Sequence, residues 1–265
     1  MTGEVLKALL WKEWRETRLK WLAFALAFHI PLAIAGLIFA FRDEMRFDMY
    51  AMTDGVAPYA LEGALVIQSI FLITAGLFLL TFFAVGSIGS ELDNHSLFFI
   101  FDRPIRRWQV LLFKFVVGAV QTTTCVGLSI LTSVTLVYLT LAAMATHVTL
   151  DGSWGTFVNV ISNATRGTVW TMMTALLVYS ATFLFSVLFE KWWIAVIAGA
   201  ISFVLMFYAF GQTLFEWVIS RAAQGDSVNL EFYGRLDPVP LIMMMVVTAG
   251  FYFASQYVFE RKEMR

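Results

Sequence analysis

Charge is what this sequence has least of. Asp, Glu, Lys and Arg make up 14% of its 265 residues, where a soluble domain carries roughly a quarter. The net charge of −1 gives no general electrostatic case for nucleic acid or for an acidic substrate. Cysteine is also nearly missing: Cys125 stands alone in an apolar stretch, which excludes an intrachain disulfide framework and any multi-cysteine metal site, so it reads as a small core residue. The three histidines, His29, His95 and His147, are too scattered for a metal site or a catalytic triad, and no H-E-x-x-H pair occurs. No G-x-x-x-x-G-K-[ST] phosphate loop is present, so ATP is not bound in the P-loop manner by this chain. A cleavable leader is not expected either, because Glu4, Glu13 and Glu16 interrupt the first basic residues and the apolar run begins only near Trp21.

Apolar residues fill the space. They account for 60% of the chain, and the mean hydropathy is +0.77. A helix rising 1.5 Å per residue needs about 20 apolar residues to cross a hydrocarbon core of about 30 Å. Six runs free of Asp, Glu, Lys and Arg reach that length, at about 21–41, 63–89, 115–145, 168–189, 192–215 and 241–259. The third is too long for a perpendicular span, so it is tilted or extends beyond the bilayer. The expected fold is an all-α membrane protein of six spans in one domain, residues 1–265.

Basic residues set the orientation. If the N-terminal segment, the second and fourth connections and the tail share one side, that side holds thirteen of the eighteen Lys and Arg residues, and the positive-inside rule makes it cytoplasmic. Both termini are then cytoplasmic and the protein is multi-pass in a cell membrane, expected to be a bacterial inner membrane. Residues 1–20 read as an interfacial amphipathic helix, with Leu6, Leu10, Trp14 and Trp21 along one side and Lys7, Lys12, Arg15, Arg18 and Lys20 among the polar positions. A polybasic anchor that only sets topology is the plainer reading of the same segment.

The connection between the second and third spans, residues 90–109, is unlike a loose loop. Its sequence over 89–108 is GSELDNHSLFFIFDRPIRRW, and QVLLFK follows to Lys114. Consecutive large apolar residues on the cytoplasmic side need a protein partner or the membrane surface to cover them. Pro104 then breaks the chain direction before the next span. The residues predict a short helix, a turn and a basic re-entry through Arg106 and Arg107.

This stretch resembles the loop of the ABC-2-type permease family, approximately E-x-E-x-G-T-L-E-x-L-L-x-x-P-I-x-R-x-x-[ILV]-x-x-x-K. Glu91, Asp93, Ser96, Leu97, Ile100, Pro104, Ile105, Arg107, Val110 and Lys114 align to it without a gap. His95 stands where glycine is usual, Phe98 replaces an acid, and Asp102 and Arg103 precede the proline. Lys12-Glu13-Trp14-Arg15 also looks like that family's entry helix. The resemblance implies the transmembrane subunit of an ATP-driven exporter, paired with a second permease chain and docked to separate ATPase subunits that bind the ATP and Mg, with no cofactor on this chain and no catalysis by it. It makes residues 90–109 the coupling element: Leu97, Phe98 and Phe101 would fill a groove on the ATPase, Pro104 would turn the chain, and Glu91, Arg107 and Lys114 would fix the spans around it. Equally, Lys114 would only mark the membrane boundary.

Polar residues inside the runs, His29, Gln68, Gln121 and Gln212, are candidates for a conduit; bonding to a neighbouring helix is the commoner role for such groups. Thr122, Thr123 and Thr124 raise the same choice, since threonine often bonds back to its own helix. Two other classes compete with an exporter. A secondary transporter would need ionisable or coordinating groups near mid-membrane, and none of the six runs holds an Asp, Glu, Lys or Arg. A scaffold or assembly factor would use the same loop to dock a partner without transport. Membrane lipids are expected contacts in every case, and a lipophilic or amphipathic substrate suits uncharged spans.

Overall fold

The structure, a computed structural model, describes residues 3–30, 76–93, 106–144, 153–189, 191–205, 208 and 238–262. These form six helices: α1 Gly3–Ala27, α2 Leu77–Asp93, α3 Arg107–Met144, α4 Ser153–Leu188, α5 Trp192–Leu205 and α6 Pro238–Arg261. Among the described residues, three stretches are long and apolar enough to cross a membrane: Arg107–Ser133, Thr168–Leu188 and Leu241–Arg261. They coincide with the third, fourth and sixth apolar runs. The expected spans at 21–41, 63–89 and 192–215 lie partly outside the described residues.

Helix α4 is the hub, packing against α2, α3 and α6. Its contact faces are lined by Thr171, Ala175, Ser180, Ala181, Thr182 and Ser186, all buried. Small side chains let helix backbones approach closely where lipid, unlike water, gives no hydrophobic push between helices. Their hydroxyls are satisfied at home: Thr182 donates to the Val178 carbonyl at 2.8 Å and Ser186 to that of Phe183 at 2.7 Å. The large core side chains then interlock in two layers, one around Phe83, Ile88, Leu111, Tyr179, Phe183 and Phe259, the other around Phe28, Leu80, Val126, Ala175 and Val178. Helix α6 touches the bundle along Thr248, Ser255 and Phe259, which are buried, while Met243, Val246, Phe253 and Tyr257 are exposed. An apolar outer face of that kind suits a lipid solvent.

Contact registers give each helix a direction. Glu13 meets Lys114 and Phe28 meets Ser129, so α1 and α3 are parallel. Lys12 meets Glu91 while Lys20 approaches Gly86, so α2 runs against α1. Tyr179 reaches the Lys114 carbonyl and Met172 lies over Gly127, so α4 runs against α3. Gly199 of α5 packs on Thr182 of α4, each about eight residues from the junction between the two helices, so α5 runs against α4. Lys262, just past the end of α6, donates to the Val187 carbonyl, and Tyr252 and Phe183, both earlier in their chains, meet Phe115, so α6 is parallel to α4. Odd-numbered helices therefore begin, and even-numbered helices end, at the same side of the bundle. Lys12, Arg106, Arg107, Lys114, Lys191, Arg261 and Lys262 all sit toward that side.

Two boundaries differ from the sequence reading. Helix α1 runs without a break through residue 20, where an interfacial helix over 1–20 was expected to give way to a span. Leu10 and Trp14, on the expected apolar side, are exposed to whatever surrounds the bundle, as a membrane-facing side would be, and Glu13 and Thr17 are buried against the other helices. The face toward α3 is held by polar pairing, through Glu13 to Lys114 and Thr17 to Gln121. Helix α4 begins at Ser153, within the connection expected to lead to a span at 168. Polar but almost uncharged residues such as Asn159, Ser162 and Asn163 break the apolar run without breaking the helix. At about 1.5 Å per residue, α3 and α4 are each longer than 50 Å, well over the thickness of about 30 Å of a bilayer core.

Candidate functional site

The connection expected to couple the protein to a partner leaves α2 after Asp93 and returns at Arg106. Leu97, Phe98, Phe101 and Pro104 lie outside the described residues, as do Gln68 and Gln212. Its two ends are described, and they are tied together. Two acids, Glu91 and Asp93, close α2, a position where the helix dipole disfavours negative charge. At the re-entry, the Arg106 amide donates to Gln109 Oε1 at 3.3 Å, which satisfies one of the orphan donors at the start of α3. Arg107 is exposed in that first turn.

Two turns further on, Lys114 is 1% exposed. Its Nζ donates to Glu13 Oε1 at 2.6 Å and to Glu91 Oε1 at 2.9 Å, so one ammonium joins α1, α2 and α3. The two carboxylate side chains are 7% and 14% exposed, and charge-assisted bonds this short in a desolvated site are strong and directional. Lys12 approaches Glu91 at 3.9 Å and Glu16 at 3.8 Å from the outer side. Glu13, Glu16 and Glu91 bring carboxylate oxygens within 4.8 Å of one another. That donor set would suit a hard cation, but the ammonium of Lys114 already occupies the position between Glu13 and Glu91. Burial pushes the Glu13 carboxyl above its ordinary value of 4.5, and the nearby Lys114 pulls against that rise.

Below this ion-paired clamp the α1–α3 seam stays polar. Thr17 Oγ1 donates to the Glu13 carbonyl at 2.6 Å, and Gln121 Nε2 donates to Thr17 Oγ1 at 2.6 Å. Trp21 Nε1 donates to the Gln121 carbonyl at 3.2 Å and approaches Thr124 Oγ1 at 3.3 Å. Gln121, a conduit candidate, is thus buried between two helices that it bonds together. Its Oε1 and the Thr122 hydroxyl have no hydrogen-bond partner among the described residues. Thr123 and Thr124 bond back to carbonyls of their own helix. His29 Nδ1 lies 2.6 Å from the Ala25 carbonyl, also in its own helix.

Sequence reasoning marked Glu91, Arg107 and Lys114 as residues that fix the loop, and the structure brings Glu91 and Lys114 together. Glu13 was read only as part of an entry segment. The available signal was its register: Glu13, Thr17, Trp21, Phe24 and Phe28 recur every three or four residues, a polar start to an otherwise core-facing stripe. The geometry defines an all-α protein with helices able to span a membrane and a buried charge triad at its basic end. A search among protein-family models finds no match for this chain, and a search among curated proteins finds none either.

Proposed function

We propose that this chain is the transmembrane permease subunit of an ATP-driven ABC exporter, dimerising and coupling to a separate ATPase subunit to move a lipophilic or amphipathic substrate. The observation that carries the reading is the Lys114 clamp. A loop transmits force only if its ends are fixed to the helices it must move. Here Lys114, in the second turn of α3, donates both to Glu91, in the last turn of α2, and to Glu13 of α1. A push on residues 94–105 from a cytoplasmic partner is therefore delivered to three helices as one body. ATP and Mg belong to the partner. The alternation of helix directions supports six spans, with the basic side, both termini and the 90–109 coupling loop in the cytoplasm of a cell membrane.

The charge placement also speaks against an ion-driven carrier. Among the described residues, the buried charges Glu13, Glu91 and Lys114 are spent on one another at the basic end rather than displayed at mid-membrane, where ion coupling uses them.

Docking is tested with the loop. Leu97 and Phe101 are spaced i,i+4 and would share one face of a short helix. Changing both to Asp places charge in the contact, and the double variant should insert normally yet lose its ATPase on purification. Arg107→Ala should lower coupled transport more than it lowers assembly. If L97D/F101D retains ATPase at the wild-type ratio, the loop is not the docking site.

A further inference from the structure

Helix α1 carries a second feature, on the face turned away from the clamp. At 100° per residue, Lys7, Trp11, Arg15, Arg18, Leu22 and Leu26 fall within about 100° of one another around the helix, and all six are exposed. Trp11 alone leaves 63% of its surface uncovered. Along this stripe the chemistry changes once: Lys, Trp and Arg up to residue 18, then leucines at 22 and 26, with Leu19 beside them at 73% exposure. From residue 7 to residue 26 no acid falls on the stripe. Glu13 points the other way into Lys114, and Glu16 lies on the flank against Lys12. Over residues 7–26 five bases face two acids, and with Glu13 buried on Lys114 and Glu16 paired with Lys12 the two guanidiniums are left outward. Among the described residues neither Arg15 nor Arg18 has an ion-pair partner.

We propose that the outer face of α1 is a binding site for an anionic phospholipid, whose headgroup phosphate sits on Arg15 and Arg18 beside Trp11 and whose acyl chains run along Leu19, Leu22 and Leu26. Charge complementarity names the occupant. Arginines one turn apart present forked donors that match phosphate oxygens, tryptophan is the side chain that favours the headgroup level, and exposed leucines below need an apolar cover that acyl chains supply. The site does not depend on transport, because it uses no residue of the clamp or of the coupling loop.

The test uses the full chain, purified, delipidated in mild detergent and titrated with phosphatidylglycerol or phosphatidylcholine while bound lipids are counted by native mass spectrometry. Wild-type protein should prefer phosphatidylglycerol by roughly tenfold or more, the scale expected when two cations meet an anionic headgroup. Arg15→Gln with Arg18→Gln should bring the preference to within about twofold without changing thermal stability, since both side chains are exposed. Arg15→Lys with Arg18→Lys should keep most of it. Arg106→Gln, an exposed cation on the same side of the bundle, should leave it unchanged. A preference that survives the double glutamine variant overturns the site, and so does one that falls equally in R106Q, which would mean the general field of the basic end. Loss of the ATPase from R15Q/R18Q with an unaltered lipid preference would assign this face to a protein instead.

Discussion

Lys114→Met should be the most damaging single substitution among the described residues, lowering stability by about 3 to 5 kcal/mol, the cost of stripping a buried charge of its partner. The reason is what it leaves behind. Glu13 and Glu91 would face each other across a largely desolvated gap, with carboxylate oxygens within 4.8 Å, and the outer Lys12, 3.9 Å from Glu91, is too far to replace two charge-assisted bonds. Thermal unfolding in detergent should show the loss, and adding Glu13→Gln and Glu91→Gln should recover most of it, because a buried ionic group exchanged as a unit for neutral residues is often close to neutral in stability. The triple variant separates folding from function. On the proposed function it should insert and hold the partner ATPase, whose ATP hydrolysis should then run without transport, since neutral groups replace the rigid tie. Lys114→Arg should not substitute freely, as the larger planar fork must enter a site that is 1% exposed.

Gly118→Val should come next, at about 3 kcal/mol of lost stability, the upper range for overpacking a filled core. Gly118 of α3 lies directly under the Tyr179 ring of α4. A Cβ there would overlap the Tyr179 hydroxyl and lie 2.7 Å from its Cζ. Tyr179 cannot step aside: it is fully buried, its hydroxyl donates to the Lys114 carbonyl at 3.3 Å, and its ring is packed against Phe115 and Phe183. The strain therefore passes to the helix pair that carries the clamp. Adding Tyr179→Phe should not relieve it, because Cζ remains, whereas Tyr179→Leu should restore much of the loss. Gly250→Ala is the control. Nothing lies within 4 Å of its added Cβ, so that variant should be neutral or gain up to about 1 kcal/mol of helix propensity. Melting of the four proteins in one detergent decides between local overlap and a general intolerance of side chains.

The sequence was most legible where a single physical cause dominated. Uncharged runs around 115–145, 168–189 and 241–259 contain the helices long enough to span a membrane, because lipid leaves a chain no other way to satisfy its backbone. Composition could not see that residues 153–167 are helical, since a helix outside the hydrocarbon needs no apolar run. Nor could it see Glu13. Periodicity on α1 marks Leu10 and Trp14 as an apolar side, and that Glu13 faces the bundle becomes visible only with its partner, a lysine 101 residues away. Lys114 itself stands at the edge of an apolar run, where a lysine usually marks the membrane boundary. Burial among α1, α2 and α3 is a tertiary fact, available once the helices are placed side by side. The coupling face of Leu97, Phe98 and Phe101 and the turn at Pro104 rest on the sequence pattern and its family resemblance.

The central claim is that a partner's ATP hydrolysis drives this chain, and reconstitution tests it most directly. Liposomes containing the chain and its ATPase would be loaded with a fluorescent short-chain phospholipid as an amphipathic probe, and its translocation followed by quenching from outside. Translocation should require ATP, stop when the catalytic carboxylate of the ATPase is removed, and continue when proton and sodium gradients are collapsed. Translocation at an undiminished rate without ATP, driven by an imposed proton or sodium gradient, would contradict the account.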